Sequence, residues 1–442
     1  MAHRRLEIAF VVVAVLLYSN ALIGPLFAPD QTASDDLAWL RYLWLPAYAG
    51  TAVFCVLRAR MMARAWAGLL LFGLVALWVF ASANWSIDHE VSTRRGIALI
   101  FTTLFGVYVG ASFRGGAFVP VLGGCMIALA LGSVAMALGY PKLGVHSDIN
   151  IGDWRGLWYQ KNALGGMMAY GVLTCLAASR LSGHRRRWLA GAALCLGLVL
   201  MSRSKTALIC TLAPAGVFLL VQVARRSILL AVAAVFAAGA AAEGLVAILW
   251  LAPDALLKLL GKDPTLTGRT DIWAAIFRQM EHRPLLGYGY GAFWLKDSTP
   301  AKFIRAETGW LVPSAHNGWL DVMVQVGWIG MGLVALAVLV ALVAAAVRGW
   351  RMDDAGWSLC IVIAFTMRSL SESVLISQNS LDWAMFVAAT TFLLAPAARA
   401  RAAQQQPMSR WTAFQGPTPA RIPAPAHAAW SPPGHAAGMP TR

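Results

Sequence analysis

The longest apolar run of the chain lies at residues 320–347 and reads LDVMVQVGWIGMGLVALAVLVALVAAAV, in which Asp321 is the single charged residue. At ~1.5 Å per residue, a helix of this length exceeds the ~30 Å hydrocarbon core of a bilayer. A backbone in lipid must pair its own polar groups, which leaves helices or closed barrels. Because the run is apolar throughout and does not alternate, it predicts a membrane-spanning helix.

Similar runs recur along the whole chain. The 442 residues are 59% hydrophobic and only 13% charged, about half the roughly 25% charged residues of a soluble domain. This composition excludes a soluble enzyme and a disordered chain, and the six cysteines, all in predicted spans, exclude a disulfide scaffold. We predict an all-α polytopic membrane protein of about twelve transmembrane helices, the first retained rather than cleaved as a signal peptide. The predicted spans lie at about 6–24, 39–57, 66–83, 97–112, 117–139, 163–179, 189–201, 206–223, 228–251, 320–347, 357–375 and 381–395.

The distribution of charge predicts the topology. The net charge of +16 comes from 36 Lys and Arg against 20 Asp and Glu. With the N-terminus in the cytoplasm, most of these cations fall in cytoplasmic segments, as the positive-inside rule requires, so both termini are predicted to be cytoplasmic. The charge then reflects topology, and we predict no nucleic-acid binding. Residues 1–396 form the predicted membrane domain, including one large outside loop at about 252–319, and the Pro- and Ala-rich residues 397–442 a disordered cytoplasmic tail.

Two short outside segments place cations beside predicted helices. Residues 153–162 read DWRGLWYQKN and carry Arg155 and Lys161 just before a helix whose N-terminus points outward. Residues 202–205, SRSK, form a tight turn between two spans and carry Arg203 and Lys205. Cations and helix N-termini both attract phosphate, so the two segments predict an anion site. The alternative for both is anchoring at lipid headgroups.

The long outside loop adds two further candidates. Arg269 stands at the start of a predicted amphipathic helix, and His316 stands just before the run at 320–347. An arginine at the positive end of a helix dipole is explained if both point at an anion. A lone histidine is more often a satisfied structural residue, but the cations around His316 favour a functional role. The glycines at 287, 289 and 291 follow no strand and indicate a tight turn rather than a dinucleotide site.

Patterns for metal binding are weak in this sequence. It has no H-E-x-x-H motif, and the acidic groups at 35–36 and 88–90 are explained as helix caps. We therefore predict neither a metal nor a cofactor. Within the predicted spans, Arg368 and Glu372 are four residues apart, a spacing at which they could pair on one helix face.

The outside cations and the histidine suggest one kind of chemistry. A guanidinium is planar, binds two oxygens at once and stays charged, which suits it to a pyrophosphate. Cations close to a histidine favour its neutral form, and neutral imidazole can act as a general base. A base beside a charge-stabilised leaving group describes group transfer from a lipid-linked pyrophosphate.

Five short segments also follow one another in a recognisable order. They are WYQKNALGG at 158–166, SRS at 202–204, GRTDIW at 268–273, PLLGYG at 284–289 and AHNGWL at 315–320, with a weaker sixth, NWSID, at 84–88. Together they resemble the signature segments of the O-antigen ligase/polymerase superfamily. The resemblance covers about residues 84–330, and the predicted layout of spans and one large loop is similar to that family.

The resemblance implies a periplasmic glycosyltransferase of C-type architecture in the bacterial inner membrane. It implies an undecaprenyl-diphosphate-linked glycan as donor, the lipid A-core as acceptor, transfer of the polymer en bloc with inversion, and no metal. The catalytic residues that carry over are His316, Arg269 and Arg203. The residues that would bind the donor pyrophosphate are Arg155, Lys161, Lys205 and Asn317.

Three alternatives remain open at the level of sequence. An O-antigen polymerase and a protein O-oligosaccharyltransferase share the donor site and differ in the acceptor. A transporter of lipid-linked glycan could also be a twelve-helix bundle, but it predicts an internal repeat and helices interrupted near the midplane. We find no convincing repeat between the two halves of the chain.

Overall fold

The computed structural model describes residues 2–27, 42–113, 116–147, 150–227, 229–230, 232–233, 236, 269–309, 311–351 and 355–395. Over these residues the regular structure is helical, and the one β pairing is an isolated bridge between Val145 and Trp154. The predicted all-α fold class is confirmed. The predicted tail at 397–442 and most of the predicted span at 228–251 lie outside the described residues.

Helices lie at each of the other predicted spans. We number the helices in chain order as α1 (Ala2–Tyr18), α2 (Ile23–Phe27), α3 (Leu45–Leu57), α4 (Ala59–Arg64), α5 (Trp66–Ala81), α6 (His89–Ser112), α7 (Phe118–Gly139), α8 (Pro141–Gly144), α9 (Lys161–Leu181), α10 (Arg185–Met201), α11 (Lys205–Ala224), α12 (Arg269–Met280), α13 (Thr299–Thr308), α14 (Gly318–Arg351), α15 (Gly356–Ser369) and α16 (Leu381–Leu394). A 3₁₀ turn at Ser82–Trp85 joins α5 to α6.

Within the described residues, 6 helices are long and apolar enough to cross a membrane. They are α5 with its 3₁₀ extension, α6, α7, α9, α11 and α14. Shorter apolar helices lie at Tyr42–Leu57, Gly356–Ser369 and Leu381–Leu394. The chain is therefore a multi-pass membrane protein, and the figure of about twelve spans stays a prediction.

Two of the predicted spans have a different structure from the one expected. The run at 320–347 lies within the 34-residue α14, whose helical geometry is broken at Gly327. A helix of this length would measure ~50 Å, so it exceeds a bilayer. The run predicted at 357–375 ends as a helix at Ser369, and residues 370–380 form a loop before α16. We call residues 370–380 the α15–α16 loop.

The buried side chains form two clusters. The larger one fills the helix bundle and includes Trp383 of α16 and Phe365 of α15. The smaller one joins α12, α13 and the first turns of α14, with Ile272, Ile276 and Val324 fully buried. The described part of the predicted outside loop therefore has a core of its own, which holds α12 against the start of α14.

The position of α16 depends on close contact with α6. A Cβ atom added at Gly110 would lie 2.5 Å from the carbonyl oxygen of Ala388, and one at Gly106 would lie 2.7 Å from Cβ of Val387. Small residues at such crossings let two helices approach closely in a membrane. The tight α6–α16 contact fixes one end of the α15–α16 loop.

A buried carboxylate, which the sequence analysis overlooked, joins three helices near the start of α1. Glu7 of α1 is 1% exposed and pairs with Arg58, whose Nη2 lies 2.6 Å from its Oε2. It also pairs with Arg4 and accepts the hydroxyl hydrogen of Tyr108 at 2.8 Å. Because a buried charge is tolerated only when it is paired and hydrogen-bonded, this cluster ties α1 and α6 to Arg58 at the end of α3.

Candidate active site

The first turn of α9 is surrounded by polar side chains from distant parts of the chain. Lys161 is its first residue, and the Lys161 Nζ lies 2.7 Å from Oδ2 of Asp153. Nη1 of Arg203 lies 3.4 Å from Oδ1 of the same carboxylate. Asp153 is buried, whereas the Arg203 side chain is 69% exposed. One carboxylate thus brings two of the predicted cations together and leaves Arg203 open to a ligand.

Arg203 lies in a strained turn between α10 and α11. Its φ of 48° is in the left-handed region, which costs a non-glycine residue of order 1 kcal/mol or more. Ser204 caps α11 by accepting the amide hydrogen of Ala207 at 3.4 Å, and the exposed Lys205 begins that helix. Gly165 of α9 permits the approach, because a Cβ there would lie 2.7 Å from Oγ of Ser202. The turn is therefore held against the start of α9.

The α15–α16 loop lies on the other side of the same α9 turn. Nδ2 of Asn162 donates to Oε1 of Glu372 at 3.1 Å. Nη1 of Arg269, the first residue of α12, donates to the carbonyl oxygen of Ser371 at 3.3 Å. Lys161 and Asn162 are adjacent residues of α9. The contacts that include Arg203 and those that include Arg269 therefore lie around the same helix N-terminus.

The backbone before His316 is held from three directions. The amide of Ala315 donates to Oδ1 of Asp321 at 3.0 Å, and Nε1 of Trp273 donates to the Ala315 carbonyl oxygen at 3.0 Å. Asp321 also accepts from Nε1 of Trp294 at 2.7 Å and from the Ser373 hydroxyl of the α15–α16 loop. His316 itself has a φ of 49°. Strain of this kind persists only where the surroundings impose it, and it is frequent at functional sites.

The protonation of His316 depends on its surroundings. Burial, and after it the charge of Arg269, lowers the pKa of His316 from its usual 6.5 to about 4. The ring is therefore neutral near pH 7, which is the form that can accept a proton. The positive charge of Arg269 therefore acts in the same direction as burial and favours the neutral ring.

Two of the predicted donor-binding residues have structural partners. Arg155 donates from Nε to the carbonyl oxygen of Leu143 and from Nη2 to that of Lys142, each at 2.8 Å, and its guanidinium lies 6.0 Å from the ring centre of Tyr159. Asn317 caps α14 by accepting the amide hydrogens of Trp319 at 3.0 Å and Leu320 at 3.3 Å. These contacts account for both residues locally, and their binding of a donor stays a prediction.

The pairing considered for Arg368 and Glu372 is wrong, because α15 ends at Ser369 and Glu372 lies beyond it. Arg368 instead pairs with Asp382 of α16, Nη1 to Oδ1 at 2.8 Å, and both residues are buried. A Cβ on Gly166 of α9 would lie 2.2 Å from Cζ of Arg368, so this ion pair packs directly beneath the first turns of α9.

Sequence reasoning missed the carboxylates that organise the site. Asp153 opens the segment that contains Arg155 and Lys161, and Asp321 is the lone charge of the longest apolar run, so each carried a signal that was available. Glu372 was considered only as a partner for Arg368 within a predicted helix. Asp153 accepts from Lys161, Asp321 accepts from the amide next to His316, and Glu372 accepts from Asn162.

The fold and the site together define an all-α, multi-pass membrane protein with a cationic, histidine-containing site at one end of its bundle. Residues 190–335 match the family model described as O-antigen ligase, a stretch that includes Arg203, Arg269 and His316. The chain is also 29% identical over 252 residues to the exopolysaccharide production protein ExoQ of Rhizobium meliloti (strain 1021). That alignment covers 51% of this chain and 54% of the relative, so the matched region spans about half of each protein. These matches support the resemblance to the O-antigen ligase superfamily that the signature segments indicated.

Proposed function

We propose that this protein is a glycosyltransferase of the bacterial inner membrane, with both termini in the cytoplasm and its active site on the periplasmic face. It transfers O-antigen polysaccharide en bloc from undecaprenyl diphosphate to the lipid A-core, with inversion and without a metal. The observation that carries the proposal is that two cations are held beside the first turn of α9, Arg203 through Asp153 and Arg269 through the α15–α16 loop. The segment that contains His316 is joined to the same loop through Asp321, which accepts from Ala315 and Ser373.

The donor diphosphate is placed at the N-terminus of α9. A helix N-terminus offers unpaired amide hydrogens and a positive dipole end to an anion. Lys161 stays oriented by Asp153, while the exposed Arg203 can turn its guanidinium to the phosphate oxygens. Arg269 bonds to Ser371 of the α15–α16 loop, and the next residue, Glu372, accepts from Asn162 of the first turn of α9.

The proposed reaction is a single displacement. The acceptor hydroxyl oxygen attacks the anomeric carbon and forms the new glycosidic bond, while the bond from that carbon to the diphosphate oxygen breaks. The proton of the hydroxyl passes to the neutral ring of His316, and the bonding electron pair leaves with undecaprenyl diphosphate. Arg203 and Arg269 stabilise the charge that develops on the departing diphosphate. Back-side attack inverts the anomeric centre.

The direct test uses the purified protein in nanodiscs with undecaprenyl-diphosphate glycan of defined length and lipid A-core. We expect one polymer to be joined to each acceptor, at the same rate with and without a chelator. Transport of the donor across proteoliposomes without any product would overturn the proposal in favour of a transporter.

Asp153→Asn tests the orientation of the two donor-binding cations. Asparagine keeps the shape but removes the charge that Lys161 and Arg203 share, and a hydrogen bond to a charged group is worth roughly 1.5–3 kcal/mol. We therefore expect the KM for the donor to rise about tenfold, with a smaller change in kcat. Asp297→Asn is the control, because the Asp297 side chain is 92% exposed and forms an ion pair with Lys302, which is itself exposed. An unchanged or lower KM in Asp153→Asn would show that this carboxylate does not orient the site.

The pH dependence of transfer tests the state of His316. Because its pKa in the folded protein is about 4, the ring remains deprotonated as the pH falls from about 7 to about 5. We expect kcat/KM to stay flat over that range, whereas a histidine with an ordinary pKa would already lose activity below 6.5. Binding of the negatively charged donor raises the pKa of the ring, so the acid limb of kcat should lie at higher pH than that of kcat/KM. An acid limb of kcat/KM near 6.5 would contradict this account.

A second candidate is a polymerase that extends a glycan on the lipid carrier. The name of the Rhizobium meliloti relative, an exopolysaccharide production protein, favours it. A polymerase uses the same donor site but takes a second lipid-linked glycan as acceptor. Products longer than one donor chain, formed in the absence of lipid A-core, would favour the polymerase, whereas a dependence on lipid A-core favours the ligase.

A further inference from the structure

The break in α14 is filled by a loop from another part of the chain. At Gly327 the backbone has φ 68° and ψ −173°, so the helical hydrogen bonds cannot continue across it. Residues 284–291, PLLGYGYG, lie against this break, and we call them the glycine-rich loop. Tyr288 and Gly289 donate their amide hydrogens, each at 2.9 Å, to the carbonyl oxygens of Val324 and Gln325.

The loop also accepts hydrogen bonds from the far side of the break. The amide of Trp328 donates to the carbonyl oxygen of Pro284 at 2.9 Å, and the amide of Ile329 donates to that of Leu285 at 3.4 Å. Nε1 of Trp78, from α5, donates to the carbonyl oxygen of Val326 at 3.2 Å. Polar backbone groups in a membrane must find partners within the protein. The loop and Trp78 supply them on both sides of Gly327.

Glycine is required on both surfaces of this contact. A Cβ at Gly327 would lie 2.1 Å from the carbonyl oxygen of Leu285, and one at Gly287 would lie 2.7 Å from the amide nitrogen of Gly327. A Cβ at Gly289 would lie 2.0 Å from Oγ of Ser86. All three residues have a positive φ, which residues other than glycine rarely adopt. The glycine triplet is therefore more than a tight turn, since its spacing lets the loop enter the helix break.

The glycine-rich loop also contacts the elements that carry the site. The Tyr288 hydroxyl donates to the carbonyl oxygen of Gln279 in α12, at 2.8 Å. The Tyr290 hydroxyl donates to the carbonyl oxygen of Ile376 in the α15–α16 loop. The amide of Gly291 donates to Oε1 of Gln325 at 2.7 Å. The same loop thus touches α12, which begins at Arg269, and the start of α14, which follows His316.

We propose that the glycine-rich loop and Gly327 are positioning residues for the transfer reaction. The break sets the direction in which residues 318–326 leave the rest of α14, and the loop locks that direction. Because the amide of Ala315 donates to Asp321 within this segment, the direction of the segment sets the position of the adjacent His316. This inference rests on the proposed role of His316 as the base, and the positioning residues act through that histidine.

The test is Gly327→Ala, with Gly332→Ala as the matched control. Both glycines lie in α14, but a Cβ at Gly332 would meet nothing within 4 Å. A misplacement of about 1 Å can cost a reaction about 100-fold. We expect Gly327→Ala to lower kcat at least about tenfold with the KM for the donor little changed, and to speed amide exchange in residues 284–291 and 324–329. Gly332→Ala should keep the wild-type values of both.

If Gly327→Ala does not fold, a less disruptive variant, Trp78→Phe, tests the same proposal. Trp78→Phe keeps an aromatic ring beside Trp85, although a smaller one, and removes the donor to Val326. We expect a few-fold loss of kcat, faster exchange at 324–329 and an unchanged KM. A wild-type kcat in a folded Gly327→Ala protein overturns the inference, whatever the rate of amide exchange. If that protein cannot be made, a wild-type kcat in Trp78→Phe overturns it. Full transfer by a His316→Ala protein would instead refute the proposed role of His316 as the base, and the exchange data would still report whether the loop holds the break.

Discussion

His316→Ala is expected to abolish transfer while it leaves donor binding in place. In the proposed reaction the ring accepts the proton of the acceptor hydroxyl, and a positioned general base contributes roughly 100- to 10,000-fold to a rate. Its loss should reduce kcat by that factor and change the dissociation constant of the donor less than about threefold, since the cations around α9 remain. The measurements are the single-turnover rate and donor binding by the purified protein in nanodiscs.

His282→Ala is the matched control for this result. His282 is an exposed histidine just after α12. We expect the His282→Ala protein to transfer glycan at the wild-type rate. A His316→Ala protein that works at the wild-type rate would remove the histidine from the mechanism. A protein that no longer binds the donor would show that His316 supports the donor site rather than the acceptor hydroxyl.

The sequence predicts the architecture well because membrane insertion depends on composition. Each long apolar run has one low-energy structure in lipid, a helix, and the described spans follow the predicted ones to within a few residues at most ends. The two differences between prediction and structure occur where a stretch predicted as one continuous span is not one continuous helix. Gly327 interrupts α14 inside an apolar run, and the hydrophobic pattern does not register such a break because another segment supplies the missing hydrogen bonds.

The site is predictable in kind but not in connectivity. Cations in predicted outside segments of a membrane protein are unusual, and this made Arg203, Arg269 and Lys161 candidates from the sequence. Their partners are set by tertiary packing: Asp153 lies 50 residues from Arg203, and Ser371 lies 102 residues from Arg269. Local spacing, which suggested a pair between Arg368 and Glu372, failed because the helix ends between them.

Arg269→Ala is expected to impair both donor binding and turnover, which distinguishes it from His316→Ala. In the proposed reaction the guanidinium binds the diphosphate in the ground state and stabilises the charge that grows on it as its bond to the anomeric carbon breaks. Removal of one such donor group typically costs about 100- to 1,000-fold in kcat. We expect a fall of that order in kcat and a clear rise in KM for the donor. Arg269→Lys should recover part of the activity, since an ammonium restores the charge without the planar fork.

The companion effect of this substitution appears in the pH profile. Arg269 is the second cause, after burial, of the low pKa of His316, so its removal should raise that pKa and move the acid limb of kcat/KM to higher pH. Arg278→Ala is the control: it lies on the same helix, is 47% exposed and pairs with Glu307, and an exposed pair contributes about 0–1 kcal/mol to stability. If Arg269→Ala lowered activity but left the acid limb where it is in the wild type, the arginine and the histidine would act in separate places. If the two residues lie in a single pocket, Arg269→Ala should both lower activity and move the acid limb of kcat/KM, and Arg278→Ala should do neither.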